Sequence, residues 1–181
     1  MQSSSSLSVR RIVITGILAA IAILLGVTRI GFIPVPNLSG NATIMHVPAI
    51  IGAVMEGPLV GLLVGAIFGL FSFLQSSVPL FKDPLVSILP RLFIGVTAYY
   101  SYAALKKQSE YVALTVAAVV GTLTNTVGVL GMAVLRGYLT VEATIPIIPQ
   151  AIAEVVIAAV ITVAVVAAWK RIEGGKTGSS L

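Results

Sequence analysis

The chain has 181 residues, of which 57% are hydrophobic and 9% charged, and its mean hydropathy is +1.08. A soluble domain carries about 25% charged residues, so this composition excludes a soluble globular protein and indicates an integral membrane protein. The absence of cysteine excludes disulfides and thiolate chemistry. With one histidine and six acidic residues, we predict no metal site and no cofactor. The net charge of +5 comes from basic residues at the ends of apolar runs, which argues against nucleic-acid binding.

Six membrane spans are predicted, because a helix that crosses a bilayer needs about 20 mostly apolar residues and the breaks between such runs are clear. The spans are residues 9–30, 44–55, 59–74, 84–105, 111–135 and 145–169. The first lacks a convincing cleavage site, so we interpret it as a retained helix and not as a secretory signal. The second is short and forms a hairpin with the third across Glu56-Gly57-Pro58, where proline suits the first position of a helix.

The chain is therefore predicted to be an all-α membrane protein with one six-helix domain, residues 9–171. A polar tail, residues 1–8, precedes this domain, and a Gly/Ser-rich tail, residues 172–181, follows it and is predicted to be disordered. Basic residues favour the cytoplasmic side. With the N-terminus inside, seven of them fall inside (Arg10, Arg11, Lys106, Lys107, Lys170, Arg171 and Lys176) and three outside (Arg29, Lys82 and Arg136). Both termini are predicted to be cytoplasmic.

Arg91 lies within the apolar fourth span, SILPRLFIGVTAYY. A guanidinium inside a bilayer is costly, which makes Arg91 a candidate for a functional site with a partner to be found. A rise of about 1.5 Å per residue places further polar side chains in the same outer half of the bundle. The full set is His46, Arg91, Asn125, Gln150 and Glu154. The inner half is almost purely apolar, so the pattern favours an outward-facing cavity over a channel.

Two simpler explanations stay open for these residues. Each can be a polar contact between helices, worth about 1 kcal/mol, and Arg91 with Glu154 can be a buried ion pair that fixes the bundle. Phe68 and Phe71 are candidates for the apolar wall of the cavity, although lipid-facing positions explain them equally well. Asn41, in the loop between the first two spans, completes the candidate substrate-binding residues.

Small residues recur four positions apart on the first span, at Gly16 and Ala20. Such a strip permits close approach of another helix, either within the bundle or from a partner.

Two stretches resemble the substrate-binding membrane subunits of energy-coupling factor (ECF) vitamin transporters. They are ATIMHVPAIIGAVMEGPLVGLLVGAIFGLFSFL and DPLVSILPRLFIG, with the Gly-Pro hairpin turn and Pro90-Arg91, and the similarity extends over residues 10–171. The resemblance implies a six-helix bundle in a prokaryotic plasma membrane that captures a vitamin at its outer face. It also implies a membrane coupling subunit, on which Gly16 and Ala20 dock, and a pair of ATP-binding subunits that supply the ATP hydrolysis. Gly16 replaces the alanine usual in the family.

The segment LTNTVGVLG, residues 123–131, together with His46 and Arg91, is most similar to the pantothenate-specific members. Pantothenate carries one carboxylate that suits Arg91, and hydroxyls and an amide that His, Asn and Gln side chains can bond. Folate, riboflavin, pyridoxine and hydroxymethylpyrimidine remain alternatives, although folate needs a larger cavity and riboflavin has no carboxylate. We expect binding to order the loop from Gly31 to Thr43 over the site.

A more distant alternative is an intramembrane enzyme in which His46 activates Ser87. This alternative requires the two side chains to lie within hydrogen-bond reach.

Overall fold

The computed structural model describes residues 8–34 and 41–177, and within them the chain is an all-α bundle. Six helices of ten or more residues form the bundle: α1 (Val9–Val27), α2 (Val47–Glu56), α3 (Pro58–Gln75), α5 (Leu89–Leu105), α6 (Glu110–Leu135) and α8 (Ile148–Thr177). Two single-turn helices, α4 (Pro84–Ser87) and α7 (Val141–Thr144), and the 3₁₀ turns Pro79–Lys82 and Ile145–Ile147 lie in the connections. The predicted all-α fold is confirmed.

Among the described residues, four helical segments are long and apolar enough to cross a membrane, namely α1, α3, α6 and the stretch Val141–Glu173, which includes most of α8. The short α2 has only 10 residues, or about 15 Å. Its residues from Val47 to Val54 are all buried, so α2 is surrounded by protein and needs no lipid-facing surface.

The connection between α1 and α2 contains a short β-hairpin that the sequence does not predict. Strand β1 (Phe32–Pro34) pairs antiparallel with β2 (Asn41–Thr43), with Phe32 opposite Thr43. Helix α1 ends at Val27, three residues before the predicted end of the first span, because the chain turns at Arg29 with a positive φ of 60°. Residues 35–40, the centre of the loop expected to order on binding, lie outside the described residues.

The predicted hairpin between the second and third spans is present. Gly57 joins α2 to α3 with φ 102°, a conformation that favours glycine, and Pro58 begins α3.

The fourth predicted span is broken into α4 and α5 at Ile88. Pro90 has no N–H to donate, and a proline inside a helix disfavours the regular backbone of the turn before it. Asp83 begins α4 as its N-cap, with the side chain accepting a hydrogen bond from the Leu85 N–H at 2.9 Å. The break presents backbone carbonyls to the inside of the bundle next to Arg91.

A strip of glycines brings α3 into backbone contact with α4 and α5. Gly61, Gly65 and Gly69 are spaced by four and lie on one side of α3. A methyl group added at Gly65 would collide with the Arg91 carbonyl, and one at Gly61 would collide with Gly95. Small residues at this spacing are what close helix packing in membranes requires.

Both described ends of the chain lie at the same end of the bundle. Arg10 Nε lies 2.8 Å from Glu56 Oε1, and Arg10 Nη2 lies 2.8 Å from Glu173 Oε1. This agrees with termini on one side of the membrane, and the cytoplasmic assignment of that side stays a prediction. Helix α8 continues to Thr177, so residues 172–177 of the tail predicted to be disordered are helical, and residues 178–181 lie outside the described residues.

Candidate functional site

A cavity of about 420 Å³ lies between α5, α6, α8 and the β-hairpin. Its lining is mostly apolar, with a few polar groups. The polar residues are Thr43, Arg91, Asn125, Thr126, Gln150 and Glu154; the apolar ones are Phe32, Leu80, Phe81, Val129, Leu130, Ala133, Leu139 and Ile147. Such a combination, in a cavity of a few hundred Å³, is typical of sites for small molecules.

Arg91 is 5% exposed, and the groups that hold it carry no negative charge. Its Nη1 donates to the carbonyls of Ser87 and, at 3.4 Å, of Val86. The guanidinium carbon lies 4.8 Å from the ring centre of Phe68 and 5.3 Å from that of Phe81, within the range of cation–π attraction. Among the described residues, no carboxylate lies within 4 Å of Arg91, and its Nε has no hydrogen-bond partner.

Glu154 lines the same cavity, and three protein donors hold its carboxylate. Oε1 accepts from the Thr43 N–H at 2.8 Å and from Gln150 Nε2 at 3.0 Å, and Oε2 accepts from the Thr126 hydroxyl at 3.2 Å. A carboxylate has about four lone-pair positions, so it retains acceptor capacity for a ligand. The ion pair between Arg91 and Glu154 that the sequence left open is not formed in the structure.

The remaining polar candidates differ in where they lie. Asn125 is buried beside the cavity, and within the described part of the chain its Oδ1 has no hydrogen-bond partner. Leaving such an acceptor unpaired is costly, so Asn125 Oδ1 is a candidate acceptor for a ligand donor. Gln150 lines the cavity and orients Glu154. Asn41 forms part of β2, and its side chain lies outside what the structure describes.

His46 lines neither this cavity nor the second one described below. It is fully buried at the start of α2, with Nε2 2.9 Å from the Thr122 hydroxyl oxygen, which fits a polar contact between helices. The hydroxyl of Ser87 donates to the Phe81 carbonyl. The His46–Ser87 pair that an intramembrane enzyme requires is therefore not formed.

A second cavity, of about 680 Å³, adjoins the first. The two share Phe32, Thr43, Phe81 and Arg91 in their linings. Phe68 and Phe71, the two predicted aromatic wall residues, line the second cavity and not the first. The Phe68 ring lies beneath the Arg91 guanidinium, so its connection to the first cavity is its contact with Arg91.

Gly16 and Ala20 lie on the exposed face of α1. A methyl group added at Gly16 would meet no atom within 4 Å. The face of α1 that packs on the bundle carries Thr15, Ala19 and Ala22 instead. The strip at Gly16 and Ala20 is therefore free to meet another protein.

Several lining residues were not identified from the sequence. Phe32 and Thr43 lie in the hairpin, and Phe81 lies in the connection QSSVPLFKD, which polar composition marked only as a break between spans. Thr126 directly follows Asn125 in the sequence, and this position is the only sequence feature that indicates that Thr126 lines the cavity.

Three comparisons with known proteins bear on the family and the fold of the chain. The model of the family described as "ECF transporter, substrate-specific component" matches residues 10–166. The pantothenic acid transporter PanT of Lactococcus lactis subsp. cremoris (strain MG1363) is 28% identical, with an alignment that covers 71% of this chain and 78% of the relative. A solved structure titled "Structure and mechanism of the S component of a bacterial ECF transporter" matches with a TM-score of 0.65 and 20% identity, over 91% of this chain and 96% of that one. This last likeness establishes a shared fold.

Proposed function

The chain belongs to the family of ECF transporter substrate-specific components, and on that premise we propose that it captures pantothenate in the cavity beside Arg91. Family membership makes the chain a membrane protein that binds a substrate for transport, and not an enzyme. The choice of pantothenate within the family rests on the chemistry of the cavity and on the similarity to PanT.

The observation that carries the proposal is the unneutralised charge of Arg91. A guanidinium that is 5% exposed and has no carboxylate within 4 Å among the described residues needs an anion from elsewhere. A ligand carboxylate can accept two parallel hydrogen bonds from a guanidinium. The free Nε is one such donor.

The other polar groups of the cavity are suited to the uncharged part of pantothenate. Glu154 and Asn125 Oδ1 are acceptors, and pantothenate offers two hydroxyls and an amide N–H as donors. Among the alternatives, riboflavin, pyridoxine and hydroxymethylpyrimidine lack a carboxylate to answer Arg91, and folate is large for a cavity of about 420 Å³. These vitamins remain the competing substrates to be tested.

Equilibrium binding to the purified protein in detergent tests the proposal. Pantothenate should bind saturably, and Arg91→Ala should weaken it at least about 30-fold, since removing one member of a buried, hydrogen-bonded charge pair costs about 2 kcal/mol or more. Pantothenol, in which CH₂OH replaces the carboxylate, should bind the wild type weakly and should lose little further affinity in Arg91→Ala. This cycle isolates the contact between the guanidinium and the carboxylate.

Arg171→Gln, at the opposite end of the bundle, is the matched control for loss of one cation and should bind pantothenate normally. Size-exclusion profiles and helical circular dichroism establish that each variant is folded. No saturable binding to the wild type, or equal pantothenate affinity in Arg91→Ala, would refute the proposal.

We also propose that the chain works in a prokaryotic plasma membrane with an ECF membrane coupling subunit and a pair of ATP-binding subunits. The free strip at Gly16 and Ala20 is the proposed contact with the coupling subunit, because a partner helix can approach closely where no side chain intervenes.

A further inference from the structure

The second cavity differs from the first in the character of its wall. It lies between the ends of α1 and α3 and the connection that follows α3, and its polar lining includes Ser72, Gln75, Ser76, Ser77 and Arg29. Arg29, Gln75 and Ser77 are exposed, whereas Arg91 at the inner end is buried. We call this cavity the vestibule, because it runs from an exposed polar rim to the buried guanidinium.

Arg29 at this rim adopts a backbone conformation that non-glycine residues rarely take, with φ 60°. The turn is defined by hydrogen bonds from the Arg29 N–H to the Gly26 carbonyl at 3.3 Å and from the Phe32 N–H to the Arg29 carbonyl at 3.0 Å. Glycine would fit this turn with less strain. Strained backbone positions cluster at functional sites, so the Arg29 side chain is a candidate for a functional role.

The side chain of Arg29 makes no hydrogen bond or ion pair with any residue that the structure describes. It differs in this from Arg136, a second basic residue predicted on the outer side, which is paired with Asp83 at 2.7 Å. The charge of Arg29 is thus available to an anion that enters the vestibule.

Arg91 lines both cavities, so an anion that crosses the vestibule meets the same guanidinium that lines the first cavity. Its Nε is buried and unpartnered. Two cations therefore mark the route, one exposed at the rim and one buried at the junction. Ser72, Gln75 and Ser76 between them offer hydrogen bonds without opposing charge.

We propose that the vestibule is an outer subsite for the ligand carboxylate, in which Arg29 attracts the anion before Arg91 binds it. The identity of the ligand rests on the function proposed above. Arg29 acts on association, because a charge at the rim raises the rate of encounter and is screened by salt. It contributes little to the bound state, since it does not line the first cavity.

Stopped-flow association of pantothenate with the protein in phosphatidylcholine nanodiscs tests the inference. At 10 mM salt Arg29→Gln should associate about two- to threefold more slowly than the wild type, as expected for loss of one charge acting over about 6–10 Å in water. The difference should disappear at 1 M salt, where the Debye length is about 3 Å. The dissociation rate should keep its wild-type value.

Three further variants separate charge from folding. Arg29→Lys should restore the association rate, and Arg29→Gly should reproduce the slow association although it relieves the strained turn. Lys82→Gln removes another outer cation, one that lines neither cavity and donates to the Leu74 carbonyl at 3.2 Å, and should have a smaller effect. An equal effect of Lys82→Gln would mean that general surface charge is responsible and would overturn the inference.

A lipid phosphate offers the same chemistry as a carboxylate, so the measurement is repeated with phosphatidylglycerol in the nanodiscs. Persistence of the Arg29→Gln effect supports a subsite for the soluble ligand, whereas its loss would assign the vestibule to lipid headgroups. Wild-type binding with an unchanged Arg29→Gln association rate overturns this inference alone. No binding to the wild type would overturn the proposed function and this inference with it.

Discussion

Arg91 is fixed in position by groups that leave its charge unmatched. Backbone carbonyls of the broken turn accept from Nη1, and the rings of Phe68 and Phe81 lie within reach of the guanidinium. A side chain held in this way loses little further rotamer freedom when a carboxylate arrives. Preorganisation of this kind improves affinity by lowering the entropic cost of binding.

Gly65 determines where Arg91 can lie, because a methyl group there would collide with the Arg91 carbonyl. Gly65→Ala should therefore separate α3 from α5 and destabilise the protein by about 1–3 kcal/mol, as overpacking does. The thermal unfolding midpoint in detergent should fall, and pantothenate affinity should fall with it.

Gly131→Ala is the matched control, since a methyl group there meets nothing within 4 Å. It should leave the midpoint unchanged or raise it, because alanine is favoured over glycine inside a helix. A Gly65→Ala protein that unfolds at the wild-type temperature would contradict the proposed tight packing.

Depth calculated from the sequence brought together the polar side chains that share the first cavity, because helix rise fixes height along the membrane normal. Height leaves the direction of a side chain around its helix undetermined. Height alone therefore places His46 at the cavity, whereas the structure buries it against Thr122. Phe32 and Phe81 do not emerge from the sequence, because they lie in a short β-strand and in a 3₁₀ turn, and neither segment is long enough to show a periodic pattern.

The connection from Pro79 to Ser87 forms one wall of the first cavity, and it is anchored mainly at Asp83. Asp83 Oδ1 caps α4, and Oδ2 accepts from Arg136 Nε at 2.7 Å and from the Tyr138 hydroxyl at 3.4 Å. The connection presents the Phe81 ring and the Ser87 carbonyl to Arg91. The ion pair thus joins the end of α6 to the segment that holds the guanidinium.

The hydrogen bond from Arg136 holds the pKa of Asp83 below its ordinary value. A carboxyl whose pKa is lower in the folded state adds stability at neutral pH, and that stability is lost as pH falls through the folded-state pKa. The thermal midpoint of the wild type should therefore exceed that of Asp83→Asn at pH 7. The difference should begin to shrink below about pH 4, the ordinary range of an Asp carboxyl.

Asparagine is also a good N-cap, so Asp83→Asn tests the ion pair and spares the cap of α4. Arg136→Gln should lower the midpoint similarly at pH 7, and the double variant should be no less stable than the worse single one. A midpoint difference that stays constant from pH 7 to pH 3 would show that the carboxylate charge is not what stabilises the connection.

The boundaries of the elements follow from the sequence where glycine and proline stand together between two apolar runs, as at Gly57-Pro58. The break at Ile88 is not predicted, because Pro84 and Pro90 lie in one uninterrupted apolar run that is long enough to be a single span. The glycines at 61, 65 and 69 were not identified as a packing strip, although their spacing of four was present. The structure is needed to show that these glycines of α3 allow α5 to pack closely against it.

In the molecule as a whole, the proposed ligand site and the proposed partner surface are separated. Both cavities lie at the end of the bundle away from the Arg10, Glu56 and Glu173 contacts, whereas the strip at Gly16 and Ala20 lies on the exposed side of α1. The proposed role, in which the chain binds its substrate and contacts a partner through different surfaces, requires this separation. Substitutions at Gly16 or Ala20 should then lower transport without lowering ligand binding.

Gly16→Leu and Ala20→Leu test that separation. Each adds a large side chain where a partner helix would approach, so pantothenate uptake by cells that carry the coupling partners should fall to background. Binding to the purified variant should stay at the wild-type affinity, because neither position lines a cavity. Ile17→Leu, a swap of equal volume on an exposed part of α1, is the control and should leave both measurements unchanged. Loss of binding in Gly16→Leu would instead assign the strip to packing within the bundle, and normal uptake would exclude it as the docking surface.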